Sequence, residues 1–217
     1  MDDPGAPATL RRVKQGPVQP LGRNQIDLVA GMLARAFDDD PIWSALWPDA
    51  DRRALQLQRM FAALARTSMA AGGCATTLEG VRGAAMWLPP GRGMGISAVV
   101  RSRFALPRMI LRMPRGEARS LRAMTTLLDT RHAALVPEPH WYLWVVGVEP
   151  HLHGQGLGTL LVRDGLARAH RDGTPVYLET ETAGNVTYYE GLGFRVVEEL
   201  MAPGVGVPLW LMVHRPA

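Results

Sequence analysis

The sequence is poor in cysteine, lysine and aromatic residues, and it lacks long apolar runs. Cys74 is the one cysteine among 217 residues, so an internal disulfide framework and a cysteine-rich metal cluster are excluded. No apolar run reaches the roughly 18 residues that a membrane-spanning helix needs. Asp2 and Asp3 stand where a secretory signal would carry basic residues. We therefore expect a soluble cytoplasmic protein, monomeric or homodimeric, with no membrane partner.

The net charge of +4 is regional. Lys14 is the one lysine, and residues 92–131 hold nine arginines against Glu117 and Asp129. The same stretch has one aromatic residue, Phe104, whereas nucleic-acid surfaces usually interleave basic residues with stacking aromatics. The arginines therefore indicate solvated helix faces, and we expect no nucleic-acid partner.

A content of 47% hydrophobic and 20% charged residues is enough for a packed core. Residues 1–16 mix proline, glycine and charge without periodicity, which predicts a flexible tail. Residues 17–217 show no repeat and no low-complexity linker, which predicts a single domain. Helical and strand-like patterns alternate, and an early hairpin predicts an α/β sheet that is only partly parallel.

The periodicity of apolar residues locates the predicted elements. Asn24 is predicted to cap the first helix, and Trp43 and Trp47 to lie on a short irregular segment. Helices are predicted over 26–37, 51–71, 99–113, 117–135, 156–171 and 185–192, and strands over 18–21, 74–78, 81–88, 141–148, 176–181, 194–200 and 209–213.

A glycine-rich turn lies between a predicted strand and a predicted helix. Gly154, Gly156 and Gly158 allow close approach of a ligand to the backbone and leave several N–H groups facing one way. Joined to a helix N-terminus, such a turn forms an anion site, most plausibly for a pyrophosphate.

Two nucleotide-binding motifs were weighed for this turn. A Rossmann fingerprint would find a ribose-binding acid in Glu179 or Glu181, but Thr159 stands where its third glycine should be. Too few residues follow Gly158 for the parallel strands that such a domain needs. A Walker phosphate loop fails because no Gly-Lys-Ser or Gly-Lys-Thr follows.

Residues 141–214 resemble the GNAT superfamily of acetyl-coenzyme A dependent acyltransferases, whose phosphate turn follows a V-x-P element. Val148 and Pro150 match V-x-P, Gly156 and Gly158 match the two glycines, and His153 departs from the usual Arg or Gln. The combination is most similar to the bacterial branch that contains puromycin N-acetyltransferase. Further matching segments follow in family order, namely Tyr177-Leu178-Glu179-Thr180, Asn185, Tyr188-Tyr189-Glu190, Gly191-Leu192-Gly193-Phe194 and Trp210-Leu211-Met212.

The resemblance implies a GNAT fold, with a mixed, mostly antiparallel central sheet that is splayed at the acetyl-CoA site and has helices on both faces. Acetyl-CoA would be the acyl donor, and no metal is expected. Gly147, inside a β-branched run, suits a β-bulge. The residues that the resemblance places at the donor are Val146, Gly147, Val148, His153, Gly154, Gln155, Gly156, Leu157, Gly158, Thr159 and Asn185.

The resemblance also makes Tyr189 the candidate general acid. A phenol with a pKa of about 10 stays protonated at neutral pH and can donate to a thiolate whose conjugate acid has a pKa near 8.5. Many relatives carry a glutamate base on the strand equivalent to 142–146, and this sequence has none there. The candidates for receiving the amine proton are the Trp144 carbonyl, Asp38, Asp39, Asp40, His140 and Glu179.

The missing strand carboxylate favours an acceptor with a low pKa. Neutralising a lysine-like amine at pH 7 costs about 4.6 kcal/mol, whereas an α-amine costs about 1.1 kcal/mol. We expect direct acetyl transfer, through a tetrahedral intermediate, to a primary amine of a small molecule such as an aminoacyl-type antibiotic or metabolite. Trp43, Trp47 and the loop 203–208 would line the acceptor pocket. The alternatives are a protein or peptide N-terminal acetyltransferase and a non-catalytic acyl-CoA sensor.

Overall fold

The computed structural model describes residues 16–91, 111 and 113–216. The predicted tail, apart from Gly16, and nearly all of the helix predicted over 99–113 lie outside these residues. In the described part of the chain, no helix is both long enough and apolar enough to cross a membrane.

The described residues form a sheet of seven strands in the order β1-β2-β3-β4-β5-β7-β6. Every neighbouring pair is antiparallel except β4 and β5, which are parallel. The prediction of a mixed, mostly antiparallel sheet is therefore confirmed. The strands are β1 (Val18–Pro20), β2 (Cys74–Leu78), β3 (Gly83–Leu88), β4 (Trp141–Val148), β5 (Val176–Thr180), β6 (Arg195–Met201) and β7 (Pro208–His214).

Six α-helices connect these strands within the described residues, and polar or glycine residues set their ends. Asp49 accepts a hydrogen bond from the Arg52 N–H at 2.7 Å and so caps the third helix. Gly173, at φ 62°, ends the fifth helix in the left-handed conformation that glycine adopts without strain. The helices are α1 (Ile26–Ala36), α2 (Pro41–Leu46), α3 (Ala50–Ala70), α4 (Arg115–Leu135), α5 (Leu157–Asp172) and α6 (Ala183–Glu190).

The sheet separates two apolar cores, since successive strand residues face opposite sides. On one face α1, α2, α3 and α4 pack over Met86, Tyr142 and Tyr177. On the other face α5 and α6 pack over Trp87 and Leu178. Helices thus cover both faces, as expected.

Two local predictions in the N-terminal half are wrong. Asn24 lies inside a short 3-10 turn, Arg23–Gln25, so it does not cap α1. The segment after α1 is a helix rather than irregular, because Pro41 occupies its first turn and Asp40 caps it.

The sheet opens between β4 and β5. The backbone pairs joining these strands are Trp141 with Val176 and Tyr142 with Tyr177, and beyond them the described strands diverge. From there β4 continues beside β3, and β5 beside β7. We call this opening the fork; it is the splay that the sequence resemblance implied.

Gly147 does not form the bulge that was predicted for it. The register between β3 and β4 skips Trp144, whereas Gly147 pairs regularly with Ala84. A Cβ on Gly147 would lie 2.6 Å from Leu33 Cδ2 and 3.2 Å from Phe37 Cε2. The glycine is therefore needed because α1 packs directly against this part of β4.

Candidate active site

A cleft of about 660 Å³ lies at the open end of the fork. It is bounded by the end of β4, the start of α5, the helix α6 and the link between α1 and α2. Trp144 and Gln155, both predicted for the site, lie outside its lining. The predicted residues that line it are Asp39, Asp40, Val146, Gly147, Val148, His153, Gly154, Gly156, Leu157, Gly158, Thr159, Asn185 and Tyr189.

The N-terminus of α5 supplies the anion-binding part of the cleft. The hydrogen bond from Leu160 N–H to the Gly156 carbonyl, 3.0 Å, opens the helix. The N–H groups of Leu157, Gly158 and Thr159 therefore belong to the first turn, which has no earlier helical carbonyl to bind. The positive end of the helix dipole adds to their attraction for anions. These residues fit the diphosphate of a coenzyme A donor.

The turn before α5 depends on two glycines. Gly154 and Gly156 have φ values of 76° and 79°, a left-handed conformation that favours glycine. A Cβ on Gly154 would meet no atom within 4 Å, so the turn is open on that side. His153, at the position of the family's Arg or Gln, has its Nε2 3.2 Å from the Val148 carbonyl oxygen. Its side chain thereby links the turn to β4.

Two adjacent tyrosines of α6 flank the cleft. Tyr189 is buried, its ring centroid lying 5.0 Å from that of Tyr188 and 5.6 Å from that of Phe194. Burial raises the pKa of Tyr189 far above its usual value, with smaller contributions from Tyr188 and Glu181. A Cβ on Gly158 would lie 3.4 Å from the Tyr188 hydroxyl, which therefore faces the first turn of α5.

Asp40 and Glu181 form an electrostatically coupled pair of carboxyl groups. Asp40 Oδ1 accepts hydrogen bonds from the N–H groups of Ile42, at 3.0 Å, and Trp43, at 3.2 Å. Burial nevertheless raises the pKa of Asp40 to about 6. Burial also raises the pKa of Glu181, and the charges of Asp40 and Glu179 raise it further. Both groups therefore keep their protons to a higher pH than exposed carboxyl groups do.

A third carboxyl group, that of Glu179, lies at the start of the fork. It accepts a hydrogen bond of 2.5 Å from the Tyr142 hydroxyl. Burial raises the pKa of Glu179 to about 7, although the hydrogen bond from Tyr142 acts in the opposite direction. Glu179 was a predicted relay, but it is not among the lining residues of the cleft.

The sequence pattern predicted the glycines and Tyr189 for this site, but it offered Glu181 only as a ribose ligand. A signal was present, because Tyr177, Glu179 and Glu181 alternate along β5 and beyond its end. A period of two places side chains on one face of a strand. Many relatives carry a glutamate on the strand equivalent to β4, and this chain has none there. Glu179 on β5 and Glu181 just beyond its end supply carboxyl groups from the neighbouring strand instead.

His140, another predicted relay, lies in a separate histidine pair. Its Nε2 is 2.5 Å from His132 Nε2, and its Nδ1 is 2.6 Å from the Glu138 carbonyl oxygen. His132 is buried and stacks on Tyr177 with a centroid distance of 3.9 Å. Burial, assisted by His140, lowers the pKa of His132 to about 4. Neither histidine lines the cleft.

The aromatic residues predicted for the acceptor pocket lie outside the lining of the cleft. Trp43 and Trp47 stack with centroids 5.2 Å apart, and Trp47 is fully buried. In the predicted loop 203–208, Gly204 packs on Ser120 of α4. These residues support the walls behind the cleft instead.

Comparison with known proteins relates this arrangement to a family. Residues 117–194 match the model of the acetyltransferase (GNAT) family, a span that contains the fork, the glycine turn and both tyrosines. The part of the chain that carries the cleft is therefore similar to GNAT acetyltransferases. GNAT enzymes generally use acetyl-CoA as donor. Among the described residues, no group of three or more His, Cys, Asp or Glu side chains is placed to hold a metal ion.

Similar proteins cover most of the length of the chain. An uncharacterised N-acetyltransferase of Schizosaccharomyces pombe is 26% identical over 196 residues, 86% of this chain and 78% of the yeast protein. A structure described as histone acetyltransferase HPA2 and related acetyltransferase, from Corynebacterium glutamicum, has a TM-score of 0.66 at 21% identity, covering 94% and 97% of the two chains. Mosquito arylalkylamine N-acetyltransferase like 5b has a TM-score of 0.61 at 13% identity, covering 91% and 98%. These structures share the fold.

Proposed function

We propose that this GNAT enzyme transfers the acetyl group of acetyl-CoA directly to a primary amine of a small molecule. The observation that carries the proposal is the convergence of three features in one cleft. These are the amide-rich start of α5, the free edge of β4 at the fork, and the tyrosine Tyr189.

The donor would be held by backbone groups. Beyond Tyr142 the edge of β4 that faces β5 has no strand partner in the described sheet, so Val146, Gly147 and Val148 offer backbone groups to an extended pantetheine arm. The first-turn N–H groups of α5 would hold the diphosphate. When bound, the donor supplies an activated thioester.

The chain's own groups would then manage two protons. The acceptor amine must lose a proton to become a nucleophile, and a carboxylate of Asp40 or Glu181 would receive it. The pKa values of Asp40 and Glu181 are raised, so they lie closer to the pKa of an amine than the pKa of an exposed carboxyl group does. Proton transfer from the amine to either carboxylate is therefore less unfavourable. Asp40 lines the cleft, and Glu181 is electrostatically coupled to it.

Tyr189 would donate the second proton to the departing thiolate. Its raised pKa keeps the phenol protonated throughout the neutral range. The same exclusion of water raises the pKa of a thiol, so the thiolate also becomes a stronger base in the cleft. The proton transfer therefore remains possible even though burial weakens Tyr189 as an acid.

We infer that the acceptor is a small molecule with an α-amine. One structural neighbour is named an arylalkylamine N-acetyltransferase. The sequence resemblance to the branch that contains puromycin N-acetyltransferase places aminoacyl nucleosides first among α-amines.

The experiment is an acceptor panel with acetyl-CoA, read by thiol release and by the mass of the product. The panel holds puromycin, phenylalanine amide, tyramine, an α-blocked lysine and a peptide with a free N-terminus. We expect the highest kcat/KM near pH 7 on the small α-amines. Equal efficiency on the blocked lysine would contradict the α-amine preference, and preference for the peptide would indicate an N-terminal acetyltransferase. Binding of coenzyme A without turnover on any amine would indicate a sensor.

A further inference from the structure

Arg53 of α3 is a buried cation that contacts both ends of α2. It is 8% exposed. Its Nε donates to Asp38 Oδ1 at 3.2 Å, on the N-terminal side of α2. Its Nη1 donates to the carbonyl oxygens of Trp47, at 2.9 Å, and Pro48, at 3.3 Å, on the C-terminal side. One guanidinium group therefore spans the whole helix.

The helix that Arg53 spans carries the acceptor side of the cleft. Asp40 caps α2 and lines the cleft together with Pro41. With six residues, α2 is far shorter than a helix that is stable by itself. Its position, and that of the Asp40 carboxylate, must therefore come from tertiary contacts.

A second anchor fixes only the C-terminal end of α2. Glu117 of α4 accepts hydrogen bonds from Trp47 Nε1, at 3.1 Å, and from Arg52 Nη2, at 2.6 Å. On the side of Asp40, Phe37 packs on Phe61 of α3 with a centroid distance of 5.0 Å, and Arg53 adds the hydrogen bond to Asp38. Arg53 therefore supplies the polar part of the contact that joins the N-terminal side of α2 to α3.

We propose that Arg53 is a positioning residue that sets the affinity of the enzyme for its acceptor amine. It holds Asp38 and Trp47 at fixed places, and so holds the Asp40 carboxylate where the acceptor binds, without touching either substrate. The inference rests on the proposed function, in which Asp40 faces the acceptor. Arginine suits the role because its planar fork presents several donors in a fixed geometry, whereas a lysine ammonium is a single point of charge.

The main test compares Arg53→Lys with Asp38→Asn. We call the contacts of Arg53 with Asp38, Trp47 and Pro48 the clamp. Asp38 has a half-exposed side chain, 44%, so its variant removes the charge from one contact of the clamp with little risk to folding. The matched controls are Arg66→Lys and Asp27→Asn, because the exposed Arg66–Asp27 pair also joins α3 to α1 but lies away from the cleft. For each variant we would measure kcat and both KM values with phenylalanine amide, coenzyme A affinity by calorimetry, and hydrogen exchange over 40–47.

We expect Arg53→Lys to raise the acceptor KM on the order of 10-fold while the coenzyme A affinity stays unchanged, as expected for a misplaced binding group. Asp38→Asn should act in the same direction, and the two changes combined should cost less than the product of their separate effects. The amides of Ile42 and Trp43, which donate to Asp40, should exchange faster in both variants. The control variants should change none of these quantities.

Equal changes in the acceptor and donor KM values would overturn the inference, as would faster exchange with an unchanged acceptor KM. If the wild-type protein acetylates no amine of the panel, the proposed function fails. Hydrogen exchange over residues 40–47 then tests by itself whether Arg53 holds α2 in place. Faster exchange restricted to residues 40–47 in Arg53→Lys would then support the clamp, and unchanged exchange would refute it.

Discussion

The hydroxyl group of Tyr142 on β4 donates a 2.5 Å hydrogen bond to the Glu179 carboxylate on β5. Tyr142 belongs to the last backbone pair before the fork. The bond therefore joins the two strands through their side chains just where their backbones separate. It stabilises the ionised carboxylate, but burial outweighs it and leaves the pKa of Glu179 at about 7.

Glu179 makes the stability of the protein depend on pH. Its pKa rises from 4.5 to about 7 on folding, so the folded state binds more protons than the unfolded state between these values. This contribution to stability is complete below pH 4.5 and is lost as pH rises towards 7. The neutral variant Glu179→Gln should therefore lose less stability than the wild type between pH 5 and pH 8, as measured by urea unfolding.

His132 provides a control of opposite sign. Its pKa falls from 6.5 to about 4 on folding, so its contribution is present above pH 6.5 and is lost as pH falls towards 4. As pH falls from 6.5 towards 4, His132→Gln should lose less stability than the wild type. As pH rises from 5 to 8, Glu179→Gln should lose less stability than the wild type. Shifts of the same sign in the two variants would contradict these assignments.

Tyr189→Phe should lower kcat on the order of 100-fold if the phenol is the general acid. Calorimetry should show that coenzyme A still binds, because the ring and its packing against Phe194 are retained. Tyr188→Phe is the matched control, since its hydroxyl faces α5; it should change the donor KM and leave kcat near the wild-type value. Similar losses of kcat in both variants would mean that Tyr189 has no special role.

Gly147→Ala should destabilise the protein by about 1–3 kcal/mol, the usual cost of overpacking a core. The new Cβ would lie 2.6 Å from Leu33 Cδ2, and Leu33 is fully buried. Gly116→Ala in α4 is the control, because a Cβ there meets no atom within 4 Å. It should be neutral or stabilise by up to about 1 kcal/mol, as alanine favours the helix. Urea unfolding of both variants measures the difference, and equal stability would refute the packing argument.

The glycines at the start of α5 should respond differently to alanine. Gly156 has a φ of 79°, where an L-residue costs about 1–2 kcal/mol. Gly156→Ala should therefore shift the turn and weaken coenzyme A binding several-fold or more. Gly158 leaves room, since its Cβ would meet its nearest atom at 3.4 Å, so Gly158→Ala should bind coenzyme A almost as well as the wild type. Calorimetry measures the coenzyme A affinity of both variants. A larger loss of affinity for Gly158→Ala than for Gly156→Ala would contradict the requirement for glycine at position 156.

Local pattern was sufficient to predict the strands and the glycine turn before α5. Trp141–Val148 is a strand with the predicted bounds because its β-branched and aromatic residues have a strong local preference. The turn with Gly154 and Gly156 was recognisable because left-handed backbone conformations demand glycine.

Features that depend on distant contacts were not predictable in the same way. The helix α2 is too short for periodicity to reveal it, and it is held by Arg53 from another helix. The skipped residue Trp144 depends on the register with β3. The raised pKa of Asp40 comes from burial by distant segments and is coupled to Glu181 after β5, which sequence spacing alone does not place together.

The fork has a consequence for the lifetime of the protein. The two halves of the sheet are joined by two backbone pairs between β4 and β5. A donor bound between these strands would add backbone hydrogen bonds where the sheet is open. A ligand present at 100 times its Kd adds about 2.7 kcal/mol to the folded state. The resistance of this protein to proteolysis would then rise and fall with the supply of coenzyme A and its acyl derivatives.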